Sequence, residues 1–146
     1  MRTYMIYLVK EEIATEYAGK EVLLFQLFHQ LHTSNMYVRD IIQRQVDFVT
    51  HVIPSMQLHE HLKRTLHTCS YYKADEHEHN VCIPYEQAQA KLIFHDRYIE
   101  IRARGSATAE TVFFEQLRKK LTTFFAFDSA QQFYGWLSPI RQKISM

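Results

Sequence analysis

A chain of 146 residues, 47% hydrophobic, 14% aromatic and 23% charged, has the length of one ordinary domain and enough apolar matter to bury about 70% of its unfolded surface, which excludes general disorder. Seventeen lysines and arginines against sixteen aspartates and glutamates leave a net charge of +1, and that balance removes the usual electrostatic argument for direct nucleic-acid or membrane-surface binding. Apolar runs such as Val22-Leu23-Leu24-Phe25 are too short to span a bilayer, and the N-terminal residues lack the apolar block of a secretory signal, so a cytoplasmic protein is expected.

Only three glycines and three prolines punctuate the chain, which predicts long regular segments and few loops. Tyr4 to Val9 reads as an opening strand, and Lys10-Glu11-Glu12 as the start of a helix. Apolar residues recur at helical spacing from Glu11 to about His32, most clearly at Leu24, Leu27, Phe28 and Leu31. Gly19 costs about 1 kcal/mol in a helix interior, so this segment bends or breaks there. A second helix between roughly Asn35 and Val52 carries Val38, Ile41, Ile42, Val49 and Val52, and Pro54 marks its end. A third, shorter helix follows with Met56, Leu58, Leu62 and Leu66.

The second half changes character. From Thr68 to Pro84 the pattern is polar, with room for short strands around Tyr71-Tyr72 and Asn80 to Ile83. Lys91 to Phe94 and Tyr98 to Arg104 read as a hairpin turning at His95-Asp96-Arg97, because Ile99, Ile101 and Ala103 alternate with Glu100, Arg102 and Arg104. Gly105 closes that strand. Ala107 to Leu121 returns to helical spacing through Phe113, Phe114, Leu117 and Leu121, with Arg118-Lys119-Lys120 at the end that suits cations. Phe124 to Phe127 and Phe133 to Leu137 form a last strand pair. This order predicts a single-domain α/β (α+β) sandwich over residues 1–146, with a mixed or mainly antiparallel sheet packed against about four helices.

No phosphate-cradling glycine loop and no nucleophile elbow is present. Cys69 and Cys82 stand outside any C-x-x-C pair and read as reduced thiols. Nine histidines make a metal site worth testing. Asp75, His77 and His79 would share one side of an extended backbone, but three ligands from five consecutive polar residues read better as a solvated loop. His59-Glu60-His61 fails the spacing of the zinc-protease helix. A metal-dependent enzyme built on the histidine-rich segment is therefore a distant alternative, and neither metal nor cofactor is expected. Arg97, Arg102 and Arg104 with Arg118, Lys119 and Lys120 would reach phosphates only if strand and helix lay side by side; a solvated face is the plainer reading.

Two positions break the apolar pattern. Gln45 falls by 100° steps between Ile41 and Ile42, inside the apolar stripe of the second helix. It is either an amide hydrogen-bonded at the edge of the core or part of a face presented to a partner. Ile13 and Tyr17 form an i, i+4 pair in a charged turn, cut off from the Leu24 stripe by Lys20 and Glu21. They are either its outer edge or an anchor for a partner.

Longer segments carry a resemblance. Tyr7-Leu8-Val9-Lys10-Glu11-Glu12 with Ala14, Tyr17 and Gly19, then Phe25-Gln26-Leu27-Phe28, then Ala109 to Lys119, and finally Tyr134-Gly135-Trp136-Leu137-Ser138-Pro139 resemble the SirA family of sporulation inhibitors of replication, nearly end to end. The resemblance implies a non-catalytic cytoplasmic protein of sporulating bacilli, a monomer that binds domain I of the replication initiator DnaA in a one-to-one complex and prevents new rounds of chromosome replication. It places the contact surface on Ile13, Tyr17 and Gln45. The family pattern has phenylalanine where this chain has Ile13. An interaction module for a different protein is the alternative reading.

Overall fold

The opening strand is apolar on both faces, which suits a strand inside a covered sheet rather than at its edge. The computed structural model, which describes residues 1–128, 130 and 132–140, places it there. The chain runs β1 (Arg2–Leu8), α1 (Glu11–Glu16), α2 (Glu21–Thr33), α3 (Met36–Val49), α4 (Ser55–Leu66), β2 (Tyr72–Ala74), β3 (Glu78–Ile83), β4 (Ala88–Phe94), β5 (Ile99–Arg104), α5 (Thr108–Lys120), β6 (Phe124–Asp128) and β7 (Phe133–Trp136). The strands form one sheet in the order β2-β3-β4-β5-β1-β6-β7, and every neighbouring pair is antiparallel. This is the α+β architecture the pattern predicts. The described residues hold five α-helices rather than about four, because Gly19 takes a positive φ of 87° and divides the first helical segment in two.

Strand alternation sends side chains to two separate cores. Ile6 and Leu8 of β1 and Phe124 of β6 point to the side that α4 and α5 cover with Leu58, Leu62, Phe113 and Leu117. Tyr7 and Val9 with Phe125 and Phe127 point to the other side, where Ala14, Leu24, Phe28, Leu31, Ile42 and Val46 of α1, α2 and α3 close over them. Tyr7 stacks on Phe28 at 4.3 Å, adding a geometric preference to the burial of two large rings. Two polar links hold the first layer in place. The Arg2 guanidinium donates from Nε at 3.0 Å and Nη2 at 2.6 Å to the buried Glu110 carboxylate of α5. His61 of α4 contacts the Gln116 carbonyl of α5 at 2.9 Å.

Two local expectations need correction. The second helix stops at Val49 rather than Val52, because residues 50–53 leave helical geometry to bond neighbouring chain: Thr50 bridges Val9, His51 N–H donates to the Leu8 carbonyl at 2.8 Å and Ile53 N–H to the Asp96 carbonyl at 2.9 Å. Val52 is therefore off the α3 face and exposed. The stretch read as a solvated loop also ends inside the fold, since His79 lies on β3 and is fully buried. Its ring contacts Tyr72 Oη at 2.6 Å through Nδ1 and His59 Nδ1 at 2.7 Å through Nε2. Asp75 and His77 remain exposed, with the Asp75 carboxylate accepting the His77 and Glu78 backbone N–H groups.

Candidate interaction surface

The α3 sequence divides into two stripes. Ile42, Val46 and Val49, at i, i+4 and i+7, face the core, with Ile42 and Val46 buried and Val49 half-buried. Val38, Ile41, Gln45 and Phe48 form the adjoining stripe at i, i+3, i+7 and i+10, and it faces solvent. Phe48 keeps 70% of its surface exposed and Ile41 58%. Gln45 thus belongs to an open stripe beside the core, and its carboxamide makes no hydrogen bond among the described residues.

The chain also brings α1 up to this stripe. Lys10 N–H donates to the Val49 carbonyl at 2.9 Å, joining the start of α1 to the end of α3. Two side-chain contacts follow the same seam: the Lys10 ammonium sits 5.2 Å from the centre of the Phe48 ring, and His51 Nε2 lies 3.3 Å from the Glu11 carboxylate. One turn further on, Tyr17 caps α1 by donating its backbone N–H to the Ile13 carbonyl at 2.9 Å, so Ile13 and Tyr17 point the same way. The corner after them is fixed by Glu21, whose carboxylate accepts the Gly19 N–H at 3.0 Å and the Trp136 indole N–H at 3.2 Å. Those donors, the Gly19 N–H foremost, hold the Glu21 carboxyl below its ordinary range.

The result is an open hollow of about 530 Å³ between α1, α2 and α3, lined by Ile13, Tyr17, Leu27, Gln45, Phe48 and Val49, with Glu16 and Arg44 at its rim. The structure brings all three residues singled out from the sequence to this hollow. Ile13 and Tyr17 are half-buried, each packed on the core by one side and open on the other. Sequence reasoning missed Phe48 and Leu27. Phe48 is legible in the spacing, because it continues the Val38, Ile41, Gln45 series by another three residues; Leu27 falls in the core stripe of α2, and spacing alone gives it no second role.

The hollow offers apolar walls, one free amide and two opposite charges, which suit recognition rather than bond chemistry. No set of three or more histidine, cysteine, aspartate or glutamate side chains among the described residues is arranged to hold a metal ion. His59 and His61 diverge, one to β3 and the other to α5. No helix among the described residues is long and apolar enough to cross a membrane.

Fold and hollow together define a class: a small α+β protein whose helical layer presents a partly apolar, amide-bearing surface. The comparisons with known proteins make the class specific. The family model described as "Sporulation inhibitor of replication protein SirA" matches residues 2–141, and the Sporulation inhibitor of replication protein SirA of Bacillus subtilis (strain 168) is 34% identical over 144 residues, covering 97% of each chain. The chain belongs to the SirA family.

Proposed function

We propose that this protein inhibits the initiation of chromosome replication during sporulation by binding domain I of the replication initiator DnaA at the hollow between α1, α2 and α3, as a cytoplasmic one-to-one partner without catalytic activity. The observation that carries the reading is the convergence of Ile13, Tyr17 and Gln45 on one open surface. Family membership supports the inhibitory role, since the relative from Bacillus subtilis is named for it.

The mechanism is occlusion. Ile13 and Tyr17 supply apolar area already packed against the core, so little of their side-chain entropy is lost on binding, and the exposed Phe48 ring adds further area. The Gln45 carboxamide, which makes no hydrogen bond among the described residues, supplies a donor and an acceptor that fix orientation. Covering the initiator's domain then denies that surface to its other partners.

Binding of purified DnaA domain I to the intact protein tests this. Tyr17→Ala is expected to weaken binding about 10- to 100-fold, the range of a well-packed aromatic anchor, and Gln45→Ala about five- to tenfold. Thermal melts should show both variants folded. Unchanged affinity in both rejects the surface.

A further inference from the structure

The helices leave part of the sheet bare. On the side where α1, α2 and α3 cover β1 and β6, no helix among the described residues covers the outward residues of β2, β3, β4 and β5, which are mostly polar, Ile93 and Cys82 excepted. Register places them in rows across the strands. Thr3 lies opposite Arg102, Arg102 opposite Lys91, Lys91 opposite Asn80, and Asn80 opposite Lys73. Arg104 opposite Gln89, and Gln89 opposite Cys82, form the next row. Directly opposed side chains share a face, so Lys73, Lys91, Arg102 and Arg104 project together. At about 4.8 Å per strand, the row from Lys73 to Arg102 spans roughly 14 Å.

The placement of these cations has a cost. Like charges directly opposite each other destabilise an antiparallel pair, and Lys91 faces Arg102 across β4 and β5. Acids on the flanking row answer two of the charges: Glu78 lies 3.6 Å from Lys91, and Glu100 lies 2.6 Å from Arg102. Arg104 is exposed and makes no hydrogen bond or ion pair among the described residues. Beside it opens a shallow hollow of about 390 Å³ lined by Lys91, Arg102, Arg104, Asn80 and Gln89, with no carboxylate in its lining.

From this face we infer a second binding surface, one that takes the phosphate backbone of a nucleic acid. Three cations and two amides around a shallow hollow match a run of phosphates, whose contacts come from lysine, arginine, asparagine and glutamine side chains. The rows contain no aromatic ring on which bases would stack, so the face reads backbone rather than bases. They also lack the large apolar anchors that the centre of a protein interface needs. A net charge near zero does not exclude such a partner, because net charge averages over faces that the fold keeps apart. Arg118, Lys119 and Lys120 of α5 lie across the sheet from this row and take no part in it.

Fluorescence anisotropy of the intact protein with a short labelled DNA duplex tests the inference. Three phosphate contacts give a slope of log affinity against log salt of about −2.7, or a loss of about 40-fold between about 50 and about 200 mM salt. Lys91→Ala and Arg104→Ala are each expected to flatten that slope by about 0.9, while Tyr17→Ala leaves it unchanged. Both cations are partly or fully exposed, and a thermal melt checks that each variant folds. Absence of binding at low salt, a slope indifferent to both substitutions, or displacement by polyglutamate as effective as by unlabelled duplex overturns the inference, the last by assigning the face to an acidic polypeptide. Failure here leaves DnaA binding at the helical hollow untouched, because the residues differ.

Discussion

His79 shows how far one side chain's environment departs from what its neighbours in sequence suggest. Burial, then the neighbouring His59 and Lys63, push its pKa down from the ordinary 6.5 to about 4. The 2.7 Å contact to His59 Nδ1 leaves room for a single proton between the two nitrogens, so the ring cannot gain charge without disturbing either His59 or the bond to Tyr72. In the unfolded chain the same imidazole titrates near 6.5. The unfolded state therefore takes up the proton first, and this site contributes its full share of stability only above about pH 6.5, losing it as pH falls towards 4. At pH 5 the loss is about 2 kcal/mol. Urea unfolding at pH 7 and pH 5 should show that drop, and His79→Gln, which keeps a hydrogen-bonding side chain but cannot charge, should remove most of it. An equal drop in the variant would assign the acid sensitivity to other groups.

At the level of elements, the corner between α1 and α2 decides where the interaction surface lies. Gly19 supplies the left-handed backbone, Glu21 ties that backbone to the Trp136 indole of β7, and Tyr17 sits two residues before the turn. Glu21→Ala removes two hydrogen bonds to a carboxylate and should cost about 2 kcal/mol of stability by urea unfolding. It should also weaken DnaA domain I binding, although Glu21 does not line the hollow. Normal affinity would mean that the corner holds without its carboxylate. This break was legible in the sequence because glycine is a local signal, and the same holds for the hairpin of β4 and β5 and the alternation of Ile99, Ile101 and Ala103. The early end of α3 was not legible. It depends on backbone partners at Leu8 and Asp96, more than 40 residues away on either side, and helical periodicity carries no information about them. His79 was missed for a related reason: its burial follows from β3 pairing with β2 and β4 beneath α4, whereas its immediate neighbours are all polar.

Across the whole molecule, the sheet sorts charge and apolar surface into separate regions that composition sums to nearly nothing. The helical layer exposes Ile41, Phe48 and the Gln45 amide beside the acidic start of α1, Glu11 and Glu12, while the bare half of the sheet collects Lys73, Lys91, Arg102 and Arg104. Sequence reasoning found the first set but only Arg102 and Arg104 of the second, which it grouped with Arg97 and the basic end of α5 rather than with Lys73 and Lys91. Helical spacing locates Ile13, Tyr17 and Gln45 on their faces directly, whereas a row of cations across four strands exists only once the register is known. The two surfaces should therefore answer differently to salt. Burial of apolar area is insensitive to moderate ionic strength, while a polyanion held by exposed cations loses affinity as counterions compete. Raising salt from about 50 to about 200 mM is expected to change DnaA domain I affinity by less than about threefold, since the charges around the hollow, Glu16 and Arg44 in its lining and Lys10, Glu11 and Glu12 beside it, are of both signs and screened together. Over the same range duplex affinity should fall about 40-fold. Isothermal titration for the first and anisotropy for the second measure both in one buffer series. A steep salt dependence at the hollow would mean that charge, rather than the Tyr17 and Phe48 rings, holds the initiator there.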